Sequence, residues 1–290
     1  MPVKLNDGTA MPQVAYGFWQ IPSDRCAEAL EAAIDAGHRC LDFAAVYGNE
    51  AAIGEALERI LAAGKVRREE LYIISKLWAT EWHQVDAACS RSLADLRLSY
   101  LDLYLVHSAV GVDAGAGGMK VRPRIPFHVL WRDMEGLVRC GKTKSIGVSN
   151  WSCLQVADAL SYAAIPPAVN QLEIHPTYNN EALAQWCVSQ GIVVMGYCTL
   201  GSGRPDMELP AAQEAASRLG VAPAQVLIKW SAQKGYVPVT RSLQAERIKA
   251  SLDLQFELSD SELKALDACD GGLPMKICNH EGEFGLPLYS

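Results

Sequence analysis

Three polar residues each close an apolar run, and their types suit proton chemistry. Asp42 ends Arg39-Cys40-Leu41, Lys76 follows Leu71-Tyr72-Ile73-Ile74-Ser75, and His107 follows Leu101-Asp102-Leu103-Tyr104-Leu105-Val106. An ammonium at the end of such a run is costly to bury without a partner, and Asp42 is the natural one. Tyr47 stands shortly after Asp42, in Ala44-Ala45-Val46-Tyr47-Gly48-Asn49-Glu50. A free phenol titrates near pKa ~10, which makes it a weak acid at neutral pH. A Lys76 cation beside Tyr47 is expected to pull that value down, and His107 to hold a carbonyl oxygen by hydrogen bonding. The four side chains would then form an acid site for reducing a carbonyl. Two other readings stay open at this point. Asp42 and Lys76 make a plausible structural ion pair with His107 a hydrogen-bonded interior histidine, and a lysine among apolar residues also suits Schiff-base chemistry.

The elements that must position these residues read as alternating strands and helices. Apolar, β-branched or aromatic runs fall at 14–19, 40–43, 71–76, 101–107, 144–148, 168–172, 192–197 and 237–239. Between them, apolar positions recur every three to four residues at 24–36, 51–62, 85–96, 129–139, 154–162, 181–190, 211–219 and 224–234, as amphipathic helices require. Eight strands alternating with helices predict an α/β fold, a closed (β/α)8 barrel forming one domain over residues 1–290. Asp7-Gly8 between short apolar flanks predicts a hairpin at 3–12. Ser23 and Asn179 stand where helix N-caps belong. The stretches 108–126 and 271–290 are rich in Gly or Pro and read as irregular loops over the barrel mouth, the first locally basic through Lys120, Arg122 and Arg124. In such a barrel the C-terminal strand ends line the reactive mouth, so Asp42, Lys76 and His107 should meet there.

Composition narrows the partners. A net charge of −7 argues against nucleic acid, which calls for a basic excess. The nine cysteines show neither C-x-x-C pairs nor zinc spacing, so free thiols in a reducing cytoplasm and no metal site are expected. No signal-peptide pattern opens the chain, and no apolar run reaches the roughly 18 residues of a membrane helix.

At these residues the chain resembles the aldo-keto reductase family, from Gly8 to about Leu258. Gly37-His38-Arg39 through Asp42, Tyr47, Asn49-Glu50 and Gly54 is similar to one family signature, Gly141-Lys142 through Ser145-Ile146-Gly147-Val148-Ser149-Asn150-Trp151 to a second, and Asn170-Gln171-Leu172-Glu173 with His175-Pro176 to a third. The resemblance implies NADPH-dependent reduction of aldehydes or ketones, with Asp42, Tyr47, Lys76 and His107 as catalytic residues and Tyr47 as general acid. It implies further that Ser149, Asn150 and Gln171 hold the nicotinamide carboxamide and that Tyr197 stacks on its ring. Leu200 and Ser202 would cross the pyrophosphate, and Arg241, Ser242 and Arg247 would grip the adenosine 2′-phosphate. Trp19, Trp78 and His107 would wall the substrate pocket, with Phe127 and Trp82 as weaker candidates. A monomer is the family's common habit. The chain departs from the family pattern at Ser108, where many members carry Trp, at Cys198-Thr199 in place of Ser-Pro, at Thr240-Arg241 and at Ala250-Ser251. The same parts serve alcohol oxidation by NADP+. Some members of the family are structural or regulatory proteins, a reading that the complete set of four catalytic residues disfavours.

Overall fold

The computed structural model describes residues 2–115, 118–121, 125–202, 205–278 and Phe284. Eight parallel strands close into a barrel in chain order: β3 (Ala15–Gly17), β4 (Cys40–Asp42), β5 (Tyr72–Leu77), β6 (Leu101–Val106), β9 (Thr143–Ser149), β10 (Val169–Glu173), β11 (Val193–Tyr197) and β12 (Val237–Thr240). A hairpin of β1 (Val3–Lys4) and β2 (Ala10–Met11) precedes it, paired Val3 to Met11 and Lys4 to Ala10. Gly8 at its turn has φ +87, which an L side chain resists, and the Asp7 carboxylate accepts from the Thr9 N–H at 2.9 Å. Leu5 and Met11 of this hairpin pack with the inward-facing Ala15, Cys40, Ile74, Leu105, Met195 and Val237, so the hairpin plugs one end of the barrel.

Helices follow the strands on the outside: α1 (Cys26–Ala36), α2 (Glu50–Ala62), α3 (Val85–Asp95), α4 (Phe127–Arg139), α5 (Cys153–Tyr162), α6 (Glu181–Ser189), α7 (Pro210–Leu219) and α8 (Pro223–Gln233). Their apolar faces pack on the outward residues of the strands, among them Tyr16, Leu41, Ile73, Tyr104, Ile146 and Leu172. Two more short helices, α9 (Ala245–Ala250) and α10 (Asp260–Asp267), lie beyond β12 and were not anticipated. Where α2 meets the end of α3, Gly54 leaves no room for a side chain, since a Cβ there would sit 2.0 Å from the Asp95 carbonyl oxygen. Gly54→Ala is therefore expected to force these helices apart and cost about 1–3 kcal/mol, read as a lower Tm. An unchanged Tm would show that the contact yields freely.

The structure corrects three local expectations. The stretch 108–126 is not wholly irregular, because β7 (Val112–Gly115) and β8 (Gly118–Val121) form a second antiparallel hairpin. Arg122 and Arg124 lie outside the described residues, as does the Lys120 side chain, and so does most of 279–290. Ser23 sits inside a 3-10 turn, and α1 has no side-chain cap. Asn179 does accept from the Glu181 N–H at 3.0 Å, but from one residue outside the capping position of α6. Capping boxes were missed at Ser152 and Ser259, before α5 and α10.

Candidate active site

The two-residue period of a strand brings the expected residues together. Along β4 and β5, Cys40, Tyr72 and Ile74 face the barrel interior while Leu41 and Ile73 face the helices. Asp42 and Lys76 each stand two residues further on, so both point inward at the C-terminal tips. Leu103 and Leu105 set the same phase for β6, and His107 follows just past its end, its N–H donating to the Leu77 carbonyl at 3.0 Å.

Lys76 is fully buried and its ammonium uses all three donors. They reach Asp42 Oδ1 at 2.6 Å, the Phe43 carbonyl at 2.8 Å and the Tyr47 phenol oxygen at 3.2 Å. The other carboxylate oxygen, Asp42 Oδ2, accepts from Gln171 Nε2 at 2.7 Å. Burial nonetheless lowers the Lys76 pKa, with Asp42 opposing that shift.

Tyr47 is delivered by a 3-10 turn, Ala45–Tyr47, between β4 and α2. The next residues tie this turn down. Asn49 Nδ2 donates to the carbonyls of Phe18 at 3.1 Å and Ile21 at 3.0 Å, and buried Glu50 accepts from Ser75 Oγ at 2.6 Å and Ser92 Oγ at 2.9 Å. The positioning role of Asn49 and Glu50 was missed, although their place directly after the turn was a signal. The Tyr47 ring stands 5.0 Å from Trp19 and 5.8 Å from His107, and the Trp78 ring lies 5.2 Å from His107. Trp19 is 49% exposed, so the hollow these rings bound opens outward. Trp82 and Phe127 differ: among the described residues their ring contacts are with each other and with Trp151, and both pack in the layer between barrel and helices.

One electrostatic expectation fails. The Tyr47 phenol is pushed well above its ordinary value, by burial first and then by the Asp42 carboxylate. The ammonium that was to lower it is held against Asp42, so the phenol faces an ion pair of little net charge. Because its oxygen accepts from Lys76, its own proton is left to point elsewhere.

The residues expected to hold a cofactor form a second, connected group. Ser149 and Tyr197 end β9 and β11, Gln171 is the middle residue of β10, and Asn150 follows β9 with a left-handed φ of +64. Ser149 Oγ donates to the Gln171 carbonyl at 2.8 Å, Asn150 Nδ2 to Ser149 Oγ at 3.1 Å, and the Tyr197 hydroxyl to Asn150 Oδ1 at 2.7 Å. Through Gln171 and Asp42 this group joins the four expected catalytic residues. Leu200 and Ser202 lie in the loop after β11, and Arg241, Ser242 and Arg247 lie after β12, where Ser242 also accepts the Tyr16 hydroxyl through its carbonyl. Arg241 and Arg247 are exposed and make no ion pair among the described residues, which suits an anionic group. Ser251, by contrast, is turned inward, donating to the Ile248 carbonyl at 2.7 Å and bonded to His38 Nε2 at 3.0 Å, so it cannot contact a ligand in this arrangement. Among the described residues no group of three or more His, Cys, Asp or Glu side chains is arranged to hold a metal ion.

A surface groove of about 880 Å³ lies elsewhere, lined by Pro12, Gln13, Arg39, Gln233 and Phe256 near the plugged end, and contains none of these side chains. Among the described residues no helix is long and apolar enough to cross a membrane.

Comparison with known proteins agrees with this geometry. The family model described as "Aldo/keto reductase family" matches residues 4–271. The chain is 35% identical to the NAD(P)H-dependent D-xylose reductase of Pyricularia oryzae, covering 93% of each chain. It is 38% identical to aldo-keto reductase family 1 member A1-A of Danio rerio, over 92% of this chain and 88% of that one. Among solved structures, the aldose reductase of Schistosoma japonicum superposes with a TM-score of 0.92 at 34% identity, covering 98% of this chain and 96% of that one. The chain belongs to the aldo/keto reductase family of NAD(P)H-dependent carbonyl-reducing enzymes.

Proposed function

We propose that this protein reduces aldehydes or ketones to alcohols with NADPH, and that Tyr47 is the general acid. The observation that carries this reading is the convergence on one hollow of Asp42, Lys76, Tyr47 and His107, with the phenol oxygen 3.2 Å from a buried ammonium. NADPH, when bound, supplies a hydride to the carbonyl carbon. The protein's part is to hold the carbonyl oxygen between Tyr47 and His107 and to deliver a proton to it. The Tyr47 proton, not engaged by Lys76, passes to the oxygen as negative charge grows there. An alkoxide is a far stronger base than a phenolate, so this transfer runs downhill even from a phenol whose pKa is raised. Lys76 then donates to a phenolate in place of a phenol, a stronger hydrogen bond that favours the product side of the transfer. Asp42 and Gln171 fix the ammonium in place. His107, edge-on to both Tyr47 and Trp78, orients the substrate.

Tyr197, Ser149, Asn150 and Gln171 would hold the nicotinamide, Leu200 and Ser202 would lie along the pyrophosphate, and Arg241, Ser242 and Arg247 would take the 2′-phosphate. Trp19 and Trp78 would wall the substrate pocket. The reading includes one domain over residues 1–290, working as a cytoplasmic monomer on small carbonyl compounds.

The test is NADPH consumption with an aromatic aldehyde, run beside NADH. Turnover with NADPH is expected, and none with either cofactor would refute the reading. The double variant Arg241→Ala/Arg247→Ala is expected to raise the KM for NADPH about 10–100-fold, since charged hydrogen bonds contribute about 1.5–3 kcal/mol. Its KM for NADH should hardly move, and an equal rise for both cofactors would remove these arginines from the phosphate.

A further inference from the structure

The nine free cysteines include one pair the chemistry above does not use. Cys198 Sγ and Cys278 Sγ lie 4.0 Å apart, 80 residues apart in the chain. Both are part-exposed, so a small oxidant can reach them. The barrel sets each sulfur independently. Cys198 follows the end of β11 directly, held in a left-handed conformation at φ +56. Cys278 is fixed by Glu173 of β10, whose carboxylate accepts from the Ile277 N–H at 2.5 Å and the Cys278 N–H at 2.8 Å. Glu173 also binds His175 Nε2 at 3.1 Å, and His175 Nδ1 reaches Asp206 Oδ1 at 3.2 Å. One buried chain of polar contacts thus already joins the C-terminal segment to the loop after β11.

We propose that Cys198 and Cys278 are an oxidisable dithiol whose disulfide pins the C-terminal segment to the loop after β11 and slows exchange of the nicotinamide cofactor. The slowed exchange rests on the cofactor reading above, in which Leu200 and Ser202 of that loop lie along the pyrophosphate. Closing the bond asks the sulfurs to approach from 4.0 Å to about 2.05 Å, a movement of about 1 Å for each side chain. The two thiols share one hydrogen bond in which either can donate, and the sulfur that accepts is the one more readily ionised and acts as the nucleophile. With hydrogen peroxide as oxidant, that thiol gives up its proton and its sulfur attacks a peroxide oxygen, the O–O bond breaks, and the released proton completes a sulfenic acid and one water. The sulfur of the other cysteine then attacks the oxidised one, and the departing hydroxide takes the remaining thiol proton as a second water. Two thiols and one peroxide become one disulfide and two waters. Both sulfurs lie close enough to the hollow that negative charge on either would raise the Tyr47 phenol.

The full-length protein is to be treated with hydrogen peroxide and its peptides mapped without reduction, while NADPH dissociation is followed by tryptophan fluorescence. A linked Cys198–Cys278 peptide, two hydrogens lighter than the thiols, is expected in wild type and absent in Cys198→Ser and Cys278→Ser. NADPH release should slow about fivefold or more on oxidation, recover with dithiothreitol, and stay at the reduced wild-type rate in both serine variants. Both thiols surviving, either cysteine reaching sulfinic acid without a link, or a link that leaves release unchanged would each overturn the proposal. Absence of any NADPH signal in the untreated protein would instead mark failure of the cofactor reading, which the peptide map does not depend on.

Discussion

Tyr47→Phe is expected to lower kcat by about 10²–10⁴-fold, the usual contribution of a positioned general acid, while NADPH binds as before. The substitution removes one oxygen. The ring keeps its place beside Trp19 and His107, and Lys76 keeps its bonds to Asp42 and Phe43. Loss of rate without loss of cofactor affinity therefore isolates the proton. The pH profile should carry a matching sign. A phenol raised above its usual value stays protonated through and beyond neutrality, so the reduction rate should not fall through Tyr47 ionisation anywhere below about pH 10. A rate that declines with an apparent pKa near 8 and loses that decline in Tyr47→Phe would show that the phenol is an activated acid after all.

Lys76→Met should be the most damaging single change to stability, and it should also abolish turnover. Removing the ammonium leaves a nearly fully buried carboxylate with only the Gln171 amide to satisfy it. Breaking a buried pair in this way costs about 3–5 kcal/mol, enough to lower Tm by roughly 10 °C in a chain of this size. Adding Asp42→Asn removes the stranded charge, so the double variant should regain part of that stability. It should regain no activity, because the phenolate still lacks its donor. A Lys76→Met protein as stable as wild type would mean that Asp42 has taken up a proton or moved to solvent. A double variant with restored turnover would reduce Asp42 and Lys76 to a structural pair.

Asp42, Lys76 and His107 were legible because each is a polar residue in phase with an apolar strand, and the barrel brings neighbouring tips together whatever the loops do. The bond from Gln171 to Asp42 was not. It spans 129 residues and depends on closure of the barrel, a global property that no local pattern encodes. The β7–β8 hairpin was hidden by the glycines around it, which blur the strand signal. The helices α9 and α10 were hidden by their shortness, with one buried residue each. The direction of the Tyr47 shift was misjudged for a related reason. A sequence tells that a cation, its carboxylate partner and a phenol are near, but not that the carboxylate comes within 2.6 Å and offsets the cation while burial raises the phenol. The Cys198–Cys278 approach escaped in the same way, since their spacing along the chain matches no motif.

The most direct measurement is a single turnover of enzyme preloaded with NADPH and mixed rapidly with an aromatic aldehyde, wild type beside Tyr47→Phe, in water and in heavy water. Wild type is expected to consume one NADPH per site quickly, and more slowly in heavy water, while Tyr47→Phe holds its NADPH but consumes it slowly with no comparable solvent effect. If both proteins consume NADPH at the same rate, the proton comes from elsewhere, and Tyr47 is part of the pocket wall.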